Sequence, residues 1–83
     1  MKLTVRYFAS IREALGPSEA LDVAEGSTVG AVRDALIARG GAHATALARG
    51  RALRSALNQV LCDESAPVAS GAELAFFPPV TGG

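Results

Sequence analysis

Apolar and polar residues alternate at the beginning of the chain. In residues 2–8, KLTVRYF, the odd-numbered positions are apolar, and the even-numbered positions are polar until Phe8. A period of two predicts a strand, and the Leu3 face of this strand is expected to be buried. Phe8 is therefore the single apolar side chain on the otherwise polar face.

The next segments predict a short helical turn, a second strand and one main helix. Residues 9–16 favour the turn, which ends at Gly16-Pro17, and residues 19–24 alternate again as a strand. Ser27 and Thr28 predict a helix N-cap. The apolar residues that follow recur at helical spacing until Gly40-Gly41: Val29, Val32, Leu36 and Ile37.

The second half of the chain is richer in strand patterns. Residues 43–51 favour one further helical turn, and residues 53–62 fit either one strand or a tight hairpin about Asn58-Gln59. After a loop over residues 63–71, residues 71–77 form the last predicted strand. Pro78-Pro79 ends it, because proline cannot donate to a strand ladder.

This order of elements predicts an α+β fold with a mixed sheet and one main helix packed on one face. That is the ubiquitin-like β-grasp architecture, in which the first and last strands lie parallel in the middle of the sheet. We expect residues 1–77 to form this domain and residues 78–83 to form a flexible tail. Phe8 and Phe77 would then share the solvent face at one edge of the sheet, where two adjacent aromatic rings indicate a contact surface.

Charge and composition exclude several classes of protein. The 83 residues contain eight Lys plus Arg and eight Asp plus Glu, so a general nucleic-acid binder is not expected. The apolar run from Leu74 to Val80 is far shorter than the roughly 20 residues of a membrane span. A single cysteine, Cys62, and the absence of a signal-peptide pattern fit a cytoplasmic protein.

Five arginines between Arg33 and Arg54 form a basic stretch. They are accompanied there by one acidic residue, Asp34. The stretch is interpreted either as solvated helix and loop surface or as a docking patch for an acidic partner.

The usual catalytic constellations are missing from the sequence. With one histidine and one cysteine, and without metal-binding, phosphate-loop or nucleophile-elbow spacings, neither a metal site nor a nucleophile–base pair is predicted. His43, among Gly and Ala, is expected to be a solvated surface residue. Cys62 is expected to be a small structural residue rather than a nucleophile.

The last six residues, Pro78 to Gly83, carry the chemistry instead. Extended, they reach about 20 Å, and Gly82-Gly83 can thread a narrow channel and leave a terminal carbonyl open to attack. A free carboxylate is a poor electrophile, so it must be activated, most economically by ATP as a mixed anhydride with AMP. Because this chain has no phosphate-binding loop, a separate activating enzyme is implied.

The segments YFASIRE, ALNQ and SGAELAFFPPVTGG resemble those of the small, sulfur-carrying subunits of molybdopterin synthase. The resemblance covers the whole chain, and FFPPVTGG is its most specific part. It implies that an ATP-dependent enzyme adenylates Gly83 and that a sulfur donor protein converts it to a thiocarboxylate. The tail would then deliver sulfur to cyclic pyranopterin monophosphate in the large subunit, which holds the active site, within a heterotetramer.

The same resemblance assigns individual residues. Gly83 is the carrier position, and the remaining tail residues deliver it: Gly82, Thr81, Val80, Pro79 and Pro78. Phe8, Leu61 and Phe77 match the hydrophobic contact surface for both partners, and Arg12 matches the basic position of the YFAxxRE motif. Ser70 to Glu73 depart from the acidic DGDE turn of the family, which weakens any expectation of acidic docking contacts there. No bound cofactor or metal is expected.

Three other functions fit the sequence. A related carrier for thiamine thiazole or another pathway would share the fold and the activation chemistry. A ubiquitin-like modifier would instead form isopeptide bonds through Gly83. A plain interaction module, with an accidental Gly-Gly ending, is the third.

Overall fold

Five strands and three helices follow one another along residues 1–79, the part of the chain that the computed structural model describes. The strands are β1 (Lys2–Tyr7), β2 (Ser18–Asp22), β3 (Arg54–Leu57), β4 (Val60–Cys62) and β5 (Glu73–Phe77). The helices are α1 (Ala9–Leu15), α2 (Val29–Ile37) and α3 (Gly41–Ala46). Residues 80–83 lie outside the described residues, and so do the predictions for Val80, Thr81, Gly82 and Gly83.

The strands form one mixed sheet in the order β2-β1-β5-β3-β4. β1 and β5 pair in parallel, with Val5 opposite Leu74 and Tyr7 opposite Phe76, while the other neighbours are antiparallel. The first and last strands therefore lie side by side within the sheet, as the ubiquitin-like β-grasp prediction required. The predicted α+β class is confirmed.

One face of the sheet packs against the helices. The side chains that alternate inward on β1 and β5 are almost fully buried, and α2 supplies the opposing apolar stripe. The core includes Leu3, Val5, Tyr7, Leu74 and Phe76 from the strands, and Val29, Val32 and Leu36 from α2. The period-two and helical patterns of the sequence therefore identified the buried faces correctly.

The main helix begins at the predicted signal but ends at Ile37, before the predicted stop at Gly40-Gly41. The Thr28 hydroxyl accepts a 3.2 Å hydrogen bond from the Ala31 N–H, which satisfies one free donor of the first turn. Gly30 lies against the loop after β4, and a Cβ added there would approach Glu64 atoms at 3.2–3.3 Å. The small residue thus lets α2 approach this loop closely.

Several boundaries differ from the prediction, among them those of β2, which spans Ser18–Asp22 instead of residues 19–24, and one ambiguity is resolved. β1 ends at Tyr7, because Phe8 is the N-cap of α1, although its backbone stays extended with φ −131° and ψ 157°. β5 begins at Glu73 instead of residue 71, since Gly71 has a φ of +80° that a strand does not accept. Residues 53–62 form the hairpin rather than a single strand, with positive φ at both turn residues, Asn58 and Gln59.

Candidate partner-binding groove

The sheet face opposite the helices carries an open groove of about 500 Å³. Its lining is mainly apolar and comes from β1, β3, β4, β5 and the hairpin turn. The lining residues are Arg6, Phe8, Ala56, Gln59, Leu61, Glu73, Ala75 and Phe77. Three residues that the sequence assigned to partner binding, Phe8, Leu61 and Phe77, therefore meet in one place.

Two small side chains on neighbouring strands make the face concave. In the strand register, Ala75 lies opposite Ala56, Arg6 flanks Ala75, and Leu61 flanks Ala56. One row across four strands thus runs from Arg6 through two alanines to Leu61. The long side chains at both ends stand above a floor of methyl groups, which leaves room for an inserted apolar side chain.

The two phenylalanines form the adjoining wall. The Phe8 N–H donates a 3.2 Å hydrogen bond to the Phe76 carbonyl, which continues the parallel ladder by one step and places Phe8 beside Phe77. Phe8 keeps 37% of its surface exposed and Leu61 keeps 67%, while Phe77 is half-buried. The parity argument for a shared solvent face is confirmed for both rings.

A charged pair borders the same groove. The Arg6 guanidinium lies 5.4 Å from the centre of the Phe8 ring and 3.7 Å from Glu73 Oε2. The first contact is a cation–π interaction, and the second is a partly exposed ion pair of modest strength. The sequence reasoning missed Arg6, Glu73 and Gln59 as lining residues. For Arg6, the signal was available, because it shares the strand face of Phe8.

Arg12 is not brought into the groove. It lies exposed on α1, and its backbone N–H donates to the Phe8 carbonyl at 3.3 Å. Pro78 and Pro79 are half-buried directly after Phe77, so the chain leaves the sheet at the phenylalanine wall. The tail residues that follow would start from this wall.

The basic stretch divides into one buried arginine, Arg33, and four exposed ones, Arg39, Arg49, Arg51 and Arg54. Arg33 is 3% exposed, and its guanidinium donates to Glu64 Oε2 and to three backbone carbonyls, those of Leu47, Ala48 and Arg51. The Arg49 guanidinium donates hydrogen bonds to the carboxylates of Asp34 and Glu64 and to the Gly30 carbonyl. Arg33 and Arg49 hold α2, α3 and the loop after β4 together. Both interpretations of the stretch were wrong for the buried Arg33, whereas the four exposed arginines fit the expected helix and loop surface.

Glu64 lies between the two guanidinium groups. Partial burial would raise the pKa of Glu64, but hydrogen bonds from Arg49 and Arg33 outweigh it and lower that pKa below its usual value. The carboxylate therefore stays charged and keeps the loop after β4 attached to α2 and α3.

His43 is likewise not the solvated residue that the sequence suggested. It is half-buried, its Nε2 lies 2.8 Å from Glu19 Oε2, and its ring packs edge-on against Tyr7 at 6.5 Å. The Tyr7 hydroxyl donates a 2.7 Å hydrogen bond to the same carboxylate oxygen, and Arg39 binds the other oxygen.

This cluster shifts two pKa values. Partial burial would raise the pKa of Glu19, but hydrogen bonds from His43, Arg39 and Tyr7 outweigh it and lower the pKa to about 2. Burial, together with the neighbouring Glu19 carboxylate, raises the pKa of Tyr7. Glu19 is therefore ionised at neutral pH and joins β1, β2, the end of α2 and α3.

Cys62 is half-buried, with Sγ 3.9 Å from the Ser55 hydroxyl. Within residues 1–79, no three His, Cys, Asp or Glu side chains are grouped so that they could hold a metal ion. Along the same residues, no helix has the length and hydropathy needed to cross a membrane.

Comparison with known proteins decides the family. The ThiS family model matches residues 5–83. The chain belongs to the ThiS family.

Relatives of this ThiS-family chain match it over nearly all of its length. It is 41% identical over 81 residues to the molybdopterin synthase sulfur carrier subunit of Escherichia coli, covering 98% of this chain and 99% of that protein. Among solved structures, the crystal structure of SAMP1 from Haloferax volcanii has a TM-score of 0.78 at 31% identity, with both chains fully covered. A chain in the complex of subunits 1 and 2 of molybdopterin-converting factor from Helicobacter pylori has a TM-score of 0.69 at 25% identity, again with full coverage of both.

Proposed function

We propose that this chain is the sulfur carrier subunit of a molybdopterin synthase. The observation that carries the proposal is the 41% identity to the Escherichia coli sulfur carrier subunit over 98% of this chain and 99% of that protein. The match to the ThiS family also runs through residue 83, which is the residue proposed to carry sulfur.

Gly83 would perform the chemistry through its terminal carboxyl group. In the first step the carboxylate attacks the α-phosphate of ATP on an activating enzyme, pyrophosphate leaves, and an acyl adenylate forms. A sulfur nucleophile supplied by a donor protein then displaces AMP and leaves a thiocarboxylate. Because a thiocarboxylate is a good nucleophile at neutral pH, its sulfur can attack an electrophilic carbon of cyclic pyranopterin monophosphate. Water then cleaves the resulting thioester, which leaves the sulfur on the pterin and returns Gly83 to its carboxylate. Gly82 would let this end enter a narrow site, since it adds no side chain.

The groove would dock the chain on the large subunit, where the active site is expected. The Helicobacter pylori neighbour is a complex of two subunits of molybdopterin-converting factor, which supports a partner of this kind. Phe8, Leu61 and Phe77 would contact the large subunit directly, and Arg12 would contact it outside the groove. Pro78 to Gly83 would then enter the active site within a heterotetramer. Burying two or three such side chains stabilises a complex by several kcal/mol, at about 1.5–3 kcal/mol each before the costs of association.

A mass measurement tests the carrier function. The chain, with a free C-terminus, is incubated with an activating enzyme of this family, ATP and sulfide, and its intact mass is recorded. The expected change is the replacement of one oxygen by sulfur, located at Gly83 by fragmentation. Deletion of Gly83 is the control, and it should abolish the mass change while the thermal unfolding of the domain stays the same. An unchanged mass under conditions that modify the Escherichia coli carrier would contradict the proposal.

A protein modifier is the second candidate, favoured by one observation. The Haloferax volcanii small archaeal modifier protein 1 has a TM-score of 0.77 to this chain at 29% identity. A modifier would use the same adenylate but would pass Gly83 to a lysine amine. Conjugates linked through Gly83 in extracts of the native host would support this function, and sulfur transfer to the pterin precursor by the purified synthase would support the carrier. A thiamine-thiazole carrier would give the same thiocarboxylate but no sulfur transfer with the large subunit.

A further inference from the structure

Left-handed backbone at residues other than glycine is concentrated around the groove. Among residues 1–79, five glycines have positive φ, and three other residues share this conformation: Ala9, Asn58 and Gln59. Ala9 directly follows Phe8, the Asn58 side chain binds the Glu73 N–H at 3.0 Å, and Gln59 lines the groove itself. Strained positions of this kind persist where the surrounding structure holds them, and they cluster at ligand-binding and other functional sites.

Gln59 is the least expected of the three. It has a φ of +70° at the second position of a two-residue hairpin turn, the position that glycine fills in the most favourable turns. Asn58, at the first position with a φ of +48°, is a common left-handed residue, and its side-chain hydrogen bond explains its presence. Within residues 1–79, no hydrogen bond to the Gln59 side chain offers a comparable explanation.

Gln59 lies at the surface, in a position where a bound partner could contact it. Gln59 lines both the apolar groove and a smaller polar recess of about 180 Å³ formed with Asn58 and Glu73. The neighbouring Leu61 is 67% exposed in the same groove. A carboxamide at the rim of an apolar groove can donate and accept at once, which matches the N–H and C=O that any docked backbone segment presents.

We infer that Gln59 is a binding residue of the docking surface, and that its carboxamide hydrogen-bonds the backbone of the large subunit at the groove rim. The inference rests on the proposed function, because the large subunit is the occupant of the groove. Glycine at position 59 would relieve the backbone strain, but it would also remove the carboxamide. The strain is therefore the cost of keeping this hydrogen-bonding group in the groove.

Two substitutions distinguish the contribution of the Gln59 carboxamide from that of the strained turn backbone. Gln59→Met keeps the length of the side chain and the backbone strain but removes both hydrogen-bonding groups. Gln59→Gly removes the side chain and relieves the strain. For each variant, the Kd for the purified large subunit is measured by calorimetry on the intact chain, and Tm is measured on the chain alone. Val60→Ala is the control for a neighbouring change, because Val60 is exposed but does not line the groove.

Q59M is expected to bind about tenfold more weakly, which corresponds to about 1.4 kcal/mol, with an unchanged Tm. Q59G is expected to bind at least as weakly as Q59M while its Tm rises. Weaker binding together with higher thermal stability is a result that a merely structural residue would not give. A Q59M affinity within twofold of the parent, or a lower Tm for Q59G, would overturn the inference.

Phe77→Ala distinguishes this failure from failure of the proposed function. If Phe77→Ala weakens binding but Q59M does not, the groove docks the large subunit without the help of Gln59, and only the inference is wrong. If neither variant weakens binding, the groove is not the docking surface and that part of the proposed function is wrong as well.

Discussion

The Phe8 N–H donates to the Phe76 carbonyl at 3.2 Å, one step beyond the last register pair of β1 and β5. This bond joins residues from opposite ends of the chain, and it places the Phe8 ring on the face that Phe77 shares. Because strand side chains alternate, Phe76 points into the core and is 1% exposed, while Phe77 points into the groove. Two consecutive phenylalanines therefore lie on opposite faces of the sheet, one in the core and one in the groove.

That difference in location predicts that alanine at position 76 mainly lowers stability, whereas alanine at position 77 mainly weakens binding. Phe76→Ala leaves a cavity in the core and should lower the free energy of unfolding by about 3–5 kcal/mol. Phe77→Ala should lower it by less, since the ring is only half-buried, but should weaken binding to the large subunit about 10- to 100-fold. Urea unfolding and calorimetric binding measure the two effects. A Phe77→Ala variant as unstable as Phe76→Ala would show that Phe77 belongs to the core.

Leu61 and Val60 give a second matched pair. Both side chains are 67% exposed on β4, but strand alternation places only Leu61 in the groove. Leu61→Ala should therefore weaken binding to the large subunit about tenfold, whereas Val60→Ala should leave the Kd unchanged. Neither change should alter the unfolding free energy by more than about 0.5 kcal/mol. Equal effects of the two substitutions on Kd would mean that exposure, and not the groove, determines binding.

The parts of this fold that the sequence predicted are those controlled by local periodicity. Alternation identified the buried face of β1, and the positions of Leu74 and Phe76 did the same for β5. The exposed side of Phe8 and Phe77 followed from parity alone. The concavity between them did not follow, because it depends on the register that sets Ala56 opposite Ala75.

Contacts between distant segments were the main source of error. His43 and Arg33 were read from their immediate neighbours, which are small or charged, and both were assigned to the surface. Their partners lie far along the chain: Glu19 for His43, and Glu64 for Arg33. The order of charges along the chain cannot show that His43 contacts Glu19 of β2, nor that loop carbonyls accept hydrogen bonds from the buried Arg33 guanidinium. Leu61 was predicted by resemblance only, since a three-residue strand has too little periodicity to reveal its face.

Arg33 should be a stability residue rather than a docking residue. Arg33→Met fills a similar volume but leaves three backbone carbonyls without their donor, so the free energy of unfolding should fall by about 3–5 kcal/mol. Arg51→Met, an exposed change in the same basic stretch, should alter it by no more than about 0.5 kcal/mol. Denaturant unfolding of the two variants checks this. If R33M had the same free energy of unfolding as the parent, the hydrogen bonds of Arg33 would not contribute to stability and the prediction would be wrong.

The Glu19 cluster predicts how stability depends on pH. The pKa of Glu19 is about 2 in the folded chain, against an ordinary value of 4.5, so the unfolded chain binds more protons between these two values. The contribution of Glu19 is therefore fully present above about pH 4.5 and is lost as the pH falls toward about 2. We expect it to be about 1–2 kcal/mol, less than the full shift would give, because solvent screens a partly exposed carboxylate.

Two variants assign this pH dependence to the cluster. Glu19→Gln cannot titrate, so its free energy of unfolding should fall less steeply than that of the parent between pH 4.5 and 2. A residual slope from Glu64 should remain, since its pKa is also lowered. Tyr7→Phe removes one of the three donors to Glu19 and should reduce the slope by a smaller amount. Unfolding in urea at several pH values measures these slopes. If E19Q kept the full slope of the parent, the acid sensitivity would come from other carboxylates, and the cluster would act through packing alone.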